Sequence, residues 1–133
     1  MNTALSHIRH GFGAVRPYLY GPADLPEFVR AVFGGEELER SEHQHGGSNV
    51  ELRVDDSVLV IEAAPPGGNY ADKPRGSVYI YVADTDATYA RALALSATSL
   101  MAPQDRPWGD RLAGVQDRHG NAWWIATHAH RCV

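Results

Sequence analysis

The feature that most constrains the fold of this chain is an internal repeat. Tyr18-Leu19-Tyr20 aligns with Tyr79-Ile80-Tyr81, 61 positions further along, and each segment leads from a strand pattern into a helix pattern. The segment 59–62 aligns in the same way with 123–126, at a slightly longer offset. Self-similarity of this length indicates two copies of one supersecondary unit. Because two copies of one unit usually enclose a shared cleft, we expect the functional site to lie there.

Composition and charge exclude several classes of protein. The chain has 133 residues, 44% of them hydrophobic, which suits one compact domain or two fused half-domains. The net charge is -4 and no basic stripe is present, so a nucleic-acid partner is not expected. No stretch approaches the roughly 18 apolar residues that a membrane span needs, and the N-terminus lacks a signal-peptide pattern. The single cysteine, Cys132, fits a reducing compartment. We therefore expect a cytoplasmic protein without a membrane partner.

The first copy reads as a strand, a helix and three further strands. Asp24 is expected to cap the helix, with Pro26 in its first turn, and Gly34-Gly35 is expected to end it. The alternation of apolar and polar residues from Asn49 to Val54 is typical of a strand with one buried face. The strands of this copy are predicted at Val15–Tyr20, Glu37–His45, Asn49–Val54 and Val58–Ala63.

The second copy follows the same order. Asp84 is expected to cap its helix, with Tyr89, Leu93 and Ala97 on the inner face. A hairpin is expected around the Gly120-Asn121 turn. The strands of this copy are predicted to begin at Ser77, to cover Thr98–Met101 ahead of a loop at 102–109, and to form the hairpin arms Asp110–Gln116 and Ala122–His128.

The predicted fold class is α+β, built from paired βαβββ modules. Each module forms a curved, mostly antiparallel sheet beside the cleft, with its helix outside. The predicted divisions are an N-terminal arm at 1–13, a first module at 14–64, a linker at 65–76, a second module at 77–128 and a tail at 129–133.

The second copy carries the motifs of a known superfamily. They are Ser77–Val82, Asp84–Tyr89, Trp108–Arg111, Val115–Asp117, Gly120-Asn121 and Trp123–His128. With them the chain resembles, over about residues 14–128, the vicinal-oxygen-chelate superfamily of glyoxalase I, bleomycin-resistance proteins and extradiol dioxygenases. The pattern is most similar to a glyoxalase-like bacterial branch, mostly without assigned substrates. The resemblance implies a paired βαβββ fold and usually a homodimer, but this fold hosts many functions.

The resemblance also implies where a metal would be held. Metal-dependent members place ligands at four equivalent strand positions, which fall here on Arg16, Glu62, Ser77 and Ala126. Only Glu62 is a competent ligand, whereas a catalytic divalent ion normally needs about three protein ligands. We therefore expect no metal at these positions and no cofactor.

Histidines offer a second place to look for a metal. His43 and His45 are two residues apart, as are His128 and His130, and such a pair on a strand points to one side. We interpret His43 and His45 as loop residues and His130 as part of the tail, and the sequence leaves their roles open.

The strand faces turned away from the helices combine aromatic and polar residues, as small-molecule pockets do. Tyrosines and Trp124 can stack on a flat or apolar ligand, and Arg16 or Arg53 can hold a carboxylate or a phosphate. We also expect Arg16 to pair with Glu62 where a metal would otherwise sit. Trp123 is expected to pack under the helix, and Asp110 to anchor the loop at 108–111. The predicted ligand-binding residues are Arg16, Tyr18, Glu51, Arg53, Glu62, Ser77, Tyr79, Trp124 and His128.

Two classes of function remain open on the sequence. The first is a metal-free protein that binds a small organic molecule in the inter-module cleft, for sequestration or resistance. The second is an enzyme, either a glyoxalase-like lyase or isomerase or a dioxygenase-type metal enzyme with other ligands. Glu62 and His128 are its catalytic candidates, and His128 could also approach Ser77. The sequence does not identify the ligand, nor whether the modules pair within one chain or are swapped between chains.

Overall fold

A computed structural model describes residues 7–44, 46–65, 67–68 and 72–128. The chain divides into two compact units, the first comprising Met1–Arg30 and Gly34–Lys73 and the second comprising Ala31–Phe33 and Pro74–Val133. The predicted tail, parts of the predicted arm and linker, and His45, His130 and Cys132 lie outside the described residues. Over the described ranges, no helix has the length and apolar character needed to cross a membrane.

The first half of the chain has the predicted order of one strand, one helix and three strands, which belong to the first unit except for the end of the helix at Ala31–Phe33. These are β1 (Tyr18–Gly21), α1 (Leu25–Phe33), β2 (Glu36–Glu42), β3 (Ser48–Val54) and β4 (Ser57–Ala63). They form a four-stranded sheet in the order β1-β4-β3-β2, in which β1 runs parallel to β4 and the other neighbours are antiparallel. A short 3₁₀ turn at Arg9–Gly11 precedes the sheet.

The ends of α1 follow from local sequence. The helix begins directly after Asp24 and carries Pro26 in its first turn, where the missing N–H has no intrahelical partner to lose. The Asp24 side chain forms no capping hydrogen bond, so that part of the prediction is wrong. Gly34 ends the helix with a φ of 73°, and its N–H donates to the carbonyl of Arg30.

The alternating strand β3 buries one face, as its pattern predicts. Val50 and Leu52 are fully buried and lie opposite Ile61 and Leu59 of β4. Each such side chain contributes about 1.5–3 kcal/mol when it leaves water. The intervening residues of β3, among them Glu51, therefore lie on the other, polar face of the sheet.

The second unit repeats the first. Its elements are β5 (Ser77–Tyr81), α2 (Thr85–Ala94), β6 (Thr98–Asp105), β7 (Asp110–Gln116) and β8 (Ala122–His128). They form a sheet in the order β5-β8-β7-β6, in which β5 is parallel to β8 and the rest is antiparallel. Because this order matches that of the first unit, the predicted α+β fold of two βαβββ modules is confirmed.

The inner face of α2 differs from the prediction. Asp84 caps the helix as expected, since its carboxylate accepts the N–H of Ala87 at 3.1 Å. The buried side chains are not the predicted Tyr89, Leu93 and Ala97 but Thr85, Thr88 and Ala92. Threonine is tolerated there because its hydroxyl finds partners: that of Thr85 donates to the carbonyl of Arg111 at 3.0 Å. Hydrophobicity alone therefore indicated the wrong stripe of this helix.

Strand β6 is longer than predicted, because a proline does not end it. The prediction stopped at Met101, whereas the strand continues through Pro103 to Asp105. Strand β6 lies at the edge of its sheet, and its pairing with β7 is irregular between Met101 and Gln104. Edge strands and irregular pairings are the places where a sheet accepts proline.

The β7–β8 hairpin has the predicted bounds, and its turn is held by a buried carboxylate. Asp117 accepts the backbone N–H groups of His119 at 2.9 Å and Asn121 at 3.0 Å, and the indole N–H of Trp123 at 2.9 Å. Trp123 is fully buried on the same face of β8 as Thr127, whose hydroxyl lies 2.8 Å from that of Thr85 in α2, and its ring lies 4.9 Å from that of Phe33. This places the neighbouring Trp124 on the opposite face.

Candidate functional site

The second unit presents aromatic side chains on the face of its sheet opposite the buried Ile80. Tyr79 of β5 pairs with Trp124 of β8, which in turn pairs with Gly114 of β7. A Cβ atom at Gly114 would lie 2.7 Å from Cε3 of Trp124, so only glycine lets the indole ring lie against the sheet. The ring of Tyr81 lies beside that of Tyr79, with centroids 5.5 Å apart.

A buried carboxylate orders this face. Asp110, the first residue of β7, is only 3% exposed. Its Oδ2 atom accepts the hydroxyl of Tyr79 at 2.6 Å and the hydroxyl of Tyr81 at 2.9 Å. Its Oδ1 atom lies 3.1 Å from Nδ1 of His128, the residue that pairs with Asp110 across the β7–β8 ladder. Three side chains from strands β5 and β8 therefore meet at the one carboxylate that β7 supplies.

The electrostatics of this cluster keep the carboxylate charged and the phenols neutral. The hydrogen bond from Tyr79 is the main cause that lowers the pKa of Asp110, and His128 and Tyr81 add to it. Burial and the bond to Asp110 raise the pKa of Tyr79, and the bond to Asp110 raises the pKa of Tyr81. Because an ionised carboxylate only accepts, Nδ1 of His128 carries the proton and donates.

Trp108 extends the aromatic surface from the loop between β6 and β7. Its ring is 57% exposed, and its indole N–H donates to the Tyr79 oxygen at 3.4 Å. The guanidinium of Arg106 lies 5.0 Å from the centre of the Trp108 ring, a cation–π arrangement. We refer to Tyr79, Tyr81, Trp108 and Trp124 together as the aromatic face.

A cavity of about 780 Å³ opens beside Asp110. It lies between the start of α2 and the β6–β7 connection, with Arg106, Gly109 and Arg111 among its lining residues. Arg111 is fixed by Asp86, whose two oxygens accept from its guanidinium at 2.7 and 3.0 Å. The volume lies in the range of small-molecule sites, about 300–1,000 Å³.

The first unit carries a related tyrosine pair. The rings of Tyr18 and Tyr20 lie 5.3 Å apart, and the Tyr18 hydroxyl donates to Glu62 at 2.8 Å. Partial burial and this hydrogen bond raise the pKa of Tyr18 to about 12. Each unit therefore pairs a Tyr-x-Tyr strand with a carboxylate that accepts a tyrosine hydroxyl.

The described part of the predicted N-terminal arm, residues 7–13, lies on the polar face of the first sheet, and Arg16 holds it there. The Arg16 guanidinium donates to the carbonyls of Gly13 at 2.7 Å and Phe12 at 3.0 Å, and to the Glu51 carboxylate at 2.9 Å. Further out, Arg9 donates to Glu39 at 2.7 Å. The arm therefore occupies the part of this face that the sequence assigned to a ligand.

The predicted pairing of Arg16 with Glu62 is wrong. In the parallel register of β1 and β4, Glu62 lies opposite Tyr20, four residues beyond Arg16. Four residues of strand span about 13 Å. Glu62 therefore pairs with Tyr18 instead, and Arg16 takes Glu51 from β3.

Other predicted site residues are also separated. Ser77 pairs with Ala122 at the start of β8, whereas His128 ends that strand about 20 Å away, so an approach of Ser77 to His128 is wrong. Arg53 donates to the Asp55 carbonyl at 2.9 Å and lies over the ring of the arm residue Phe12. Arg53 is thus engaged locally rather than presented to a ligand.

The positions that the superfamily uses for a metal do not fit one in this chain. Ser77 and Ala126 are four residues apart in the register of β5 and β8, and Ala126 is fully buried with no donor atom. Arg16 precedes β1, whereas Glu62 lies opposite Tyr20 near the other end of that strand. Neither pair converges on a point from which about three ligands could bind an ion.

One other group could offer three ligand atoms among the described residues. His10, Glu39 and Glu51 bring theirs within 4.8 Å of one another. However, Glu39 is already paired with Arg9, and Glu51 with Arg16. A divalent cation there would lie beside two guanidinium groups, so this cluster does not fit a metal either.

The structure describes one histidine of each predicted pair, His43 and His128. His43 lies 2.9 Å from the side-chain oxygen of Asn49 through its Nε2 atom. Its partner His45, and His130 beside His128, lie outside the described residues, so the pairs remain predictions.

Sequence reasoning missed the central residue of this site. It treated Asp110 only as a loop anchor, and it did not include Tyr81 among the ligand-binding residues. The signal was present, since the predicted hairpin bounds already pair Asp110 with His128. The position of Trp108 beside Tyr79 had no such signal, because a loop residue has no register.

Comparison with known proteins gives the family. The family model of the glyoxalase/bleomycin resistance protein/dioxygenase superfamily matches residues 22–125. The chain belongs to this superfamily. Its fold is similar to that of TioX from a Micromonospora species, with a TM-score of 0.65 and 22% identity, over 86% of this chain and 99% of that one.

Two further solved structures share the superfamily fold. TnmS3, an antibiotic binding protein from a Streptomyces species, has a TM-score of 0.61 and 21% identity over 87% of this chain and 97% of that one. FosX, a fosfomycin resistance protein from Listeria monocytogenes, has a TM-score of 0.66 and 16% identity over 88% of this chain and 92% of that one.

Curated relatives match a shorter part of this superfamily member. An uncharacterised protein of Mycobacterium bovis is 40% identical over 47 residues, which is 35% of this chain and 31% of that protein. An uncharacterised protein of Mycobacterium tuberculosis is likewise 40% identical over 47 residues, or 28% of its length. The match thus spans about a third of these relatives or less.

Proposed function

We propose that this superfamily member binds a planar small organic molecule on the aromatic face of its second unit, without transforming it. The observation that carries the proposal is the exposure of that face together with its rigidity. Tyr79 is 45% exposed, Tyr81 56% and Trp108 57%, yet the two tyrosine hydroxyls are fixed by the buried Asp110. Exposed aromatic rings that are already ordered lose little entropy when a flat ligand stacks on them.

The sites expected from the sequence divide between two roles in this proposal. Tyr79, Trp124 and His128 remain ligand-binding candidates, and Tyr81, Trp108 and Asp110 join them. Tyr18 and Glu62 form the related pair of the first unit. Arg16, Glu51 and Arg53 instead hold the N-terminal arm, and Ser77 lies at the far end of its strand from Asp110.

Sequestration or resistance is the biological role we propose for this binding. TnmS3 is an antibiotic binding protein and FosX a fosfomycin resistance protein, and both share the fold. We further propose that this chain works without a metal or another cofactor, because neither the superfamily positions nor the cluster of His10, Glu39 and Glu51 offers a suitable donor set. On these grounds a dioxygenase-type reaction is not proposed.

A lyase or isomerase activity is the second candidate, and one observation favours it. The buried Asp110 fixes the His128 ring through Nδ1, the arrangement that orients an imidazole for proton transfer. Glu62, the other catalytic candidate, belongs to the first unit and is engaged by Tyr18. If this second function holds, His128 would be the base and the bound molecule would be recovered chemically changed.

We also propose that the protein is a cytoplasmic homodimer. The second unit exposes Leu93, Leu95 and Leu100, apolar side chains of the kind that subunit contacts cover. Size-exclusion chromatography with light scattering should report twice the mass of one chain at micromolar concentration. A monomer under these conditions would remove this part of the proposal.

Binding can be tested with a panel of planar aromatic compounds and one matched pair of variants. Isothermal titration of the purified protein should reveal at least one compound that binds with a stoichiometry of one per chain. Tyr79→Ala should weaken that binding about tenfold or more, because it removes a stacking surface. Tyr89→Ala is the control, since Tyr89 lies on α2 and its hydroxyl bonds to Ser99.

The same samples separate the candidate functions. Mass spectrometry of the compound after incubation should return it unchanged if the protein only binds it, and altered if His128 catalyses a reaction. A panel without any binder, or equal losses in Tyr79→Ala and Tyr89→Ala, would contradict binding at the aromatic face.

A further inference from the structure

The hydrogen bonds around Asp110 fix the direction in which the tyrosine hydroxyls point. A carboxylate accepts hydrogen bonds and does not donate them, and each hydroxyl has a single hydrogen. Tyr79 and Tyr81 both spend that hydrogen on Oδ2 of Asp110, at 2.6 and 2.9 Å. Their oxygens therefore have only lone pairs left for any other partner.

A neighbouring residue already uses such a lone pair. The indole N–H of Trp108 points at the Tyr79 oxygen from 3.4 Å, and an indole N–H only donates. The lowered pKa of Asp110 keeps it in the acceptor-only form at neutral pH. Asp110 and Trp108 thus agree on one proton arrangement at Tyr79, and Asp110 imposes the same arrangement on Tyr81, so both phenol oxygens act as acceptors.

We propose that the aromatic face selects planar ligands that carry hydrogen-bond donors or a positive charge at their edge, because Asp110 turns both tyrosine hydroxyls into acceptors. The inference rests on the proposed binding function and adds the chemical class of the ligand. A ligand edge made of carbonyl, carboxylate or ring-nitrogen acceptors meets lone pairs on Tyr79 and Tyr81, and it leaves its own acceptors unpaired.

The cavity beside Asp110, which meets the aromatic face only through that carboxylate, carries an excess of negative charge. Four carboxylates line it, against two guanidinium groups, and two of these carboxylates flank Arg111. Tyrosine and tryptophan faces also attract a cation that lies within about 6 Å of the ring centre. The lining charges are Asp84, Asp86, Asp105 and Asp110, with Arg106 and Arg111.

Three tricyclic compounds of similar size test the selection. Proflavine is cationic near neutral pH and carries amino donors, acridine is neutral with one ring-nitrogen acceptor, and anthracenecarboxylate is an anionic acceptor. In isothermal titration we expect proflavine to bind about tenfold or more tightly than either of the others, the effect of one charge-assisted hydrogen bond.

Three variants distinguish the effect of the hydroxyl orientation on ligand preference from the effect of the Asp110 charge. Tyr79→Phe with Tyr81→Phe keeps both rings but removes both acceptor oxygens, so the preference for proflavine should fall to within about threefold. Asp110→Asn removes the charge but keeps an acceptor oxygen, so the preference should weaken without reversing. Asp110→Ala frees both hydroxyls to donate, so acridine and anthracenecarboxylate should gain relative to proflavine.

Asp105→Ala is the matched control for charge alone. Asp105 lines the same cavity but bonds to Arg111 and not to either tyrosine. It should reduce proflavine binding by less than about threefold and leave the order of the three compounds unchanged. A mere structural defect would instead weaken all three compounds to a similar extent, which the ratio of their affinities detects.

The outcomes distinguish this inference from the function on which it rests. If none of the three compounds, nor any of the wider aromatic panel, binds the unaltered protein, the proposed function itself is wrong. If acridine or anthracenecarboxylate binds as tightly as proflavine, binding stands and the selection is wrong. The selection is also wrong if Asp105→Ala lowers the preference as much as the double phenylalanine variant does.

Discussion

The turn of the β7–β8 hairpin provides a test of the structural reasoning, through Asp117→Ala. Its carboxylate accepts four N–H groups, from the His119 backbone, from the backbone and side chain of Asn121, and from the Trp123 indole. Asn121 and Trp123 are fully buried, so water cannot replace the lost acceptor at either residue. The substitution therefore strands buried donors rather than exposed ones.

The expected loss follows from that count. A buried donor without a partner costs about 1–3 kcal/mol. Taking one such cost for Asn121 and one for Trp123 gives a loss of about 2–6 kcal/mol in the free energy of unfolding, a large part of the 5–15 kcal/mol typical of a domain. At a urea slope of about 2 kcal/mol per molar, the unfolding midpoint should fall by about 1–3 M.

Urea unfolding followed by circular dichroism measures this loss, and Gln116→Ala is the control. Gln116 is exposed, and within the described ranges its side chain makes one long hydrogen bond, to the carbonyl of Gly120 at 3.4 Å, so its removal should cost less than about 0.5 kcal/mol. Since Asp117 does not touch the aromatic face, ligand affinity below the unfolding transition should stay within about twofold. A loss for Asp117→Ala as small as that of the control would refute the account of this turn.

Four further predictions follow from the charges and contacts of the two units. Folding lowers the pKa of Asp110 from 3.8, so the stability that its carboxylate contributes is present above that pH. This stability is lost as the pH falls through the lower folded-state pKa. Acid unfolding titrations should show this loss of stability for the unaltered protein and not for Asp110→Asn. Tyr18 should ionise near pH 12 in ultraviolet difference spectra, and Glu62→Gln should lower that pKa. Arg16→Ala should reduce stability by about 1–3 kcal/mol and admit protease to the arm, whereas Arg9→Ala, at a more exposed position, should change both much less. Elemental analysis should find no stoichiometric transition metal, and a tightly held zinc, nickel, iron or manganese ion would contradict the proposed metal-free state.

The sequence alone was sufficient for the elements of both modules, because the signals for them are local. The alternation in β3, the Gly34 helix end and the Gly120-Asn121 turn each depend on neighbouring residues, and the repeat presents the same local order twice. The buried face of α2 and the end of β6 were predicted wrongly because tertiary contacts stabilise residues that local preference disfavours there. Buried threonine hydroxyls on α2 found partners, and the edge position of β6 accommodated Pro103.

The candidate site shows where local signals end. Alternation correctly placed Tyr79 and Trp124 on one face of the sheet, away from the buried side chains of Ile80 and Trp123. It could not indicate which carboxylate each polar side chain would meet. The sequence suggested that Arg16 pairs with Glu62 on β4, whereas in the structure it pairs with Glu51 on β3.

What the sequence by itself determined was therefore the two-module fold and the aromatic character of one sheet face. Only the tertiary structure decided that Asp110 gathers Tyr79, Tyr81 and His128, and that residues 7–13 lie against the polar face of the first sheet. The physical reason is that periodicity specifies the side of a strand, whereas a hydrogen bond between strands depends on their relative register. That register is set by all the contacts of the sheet together.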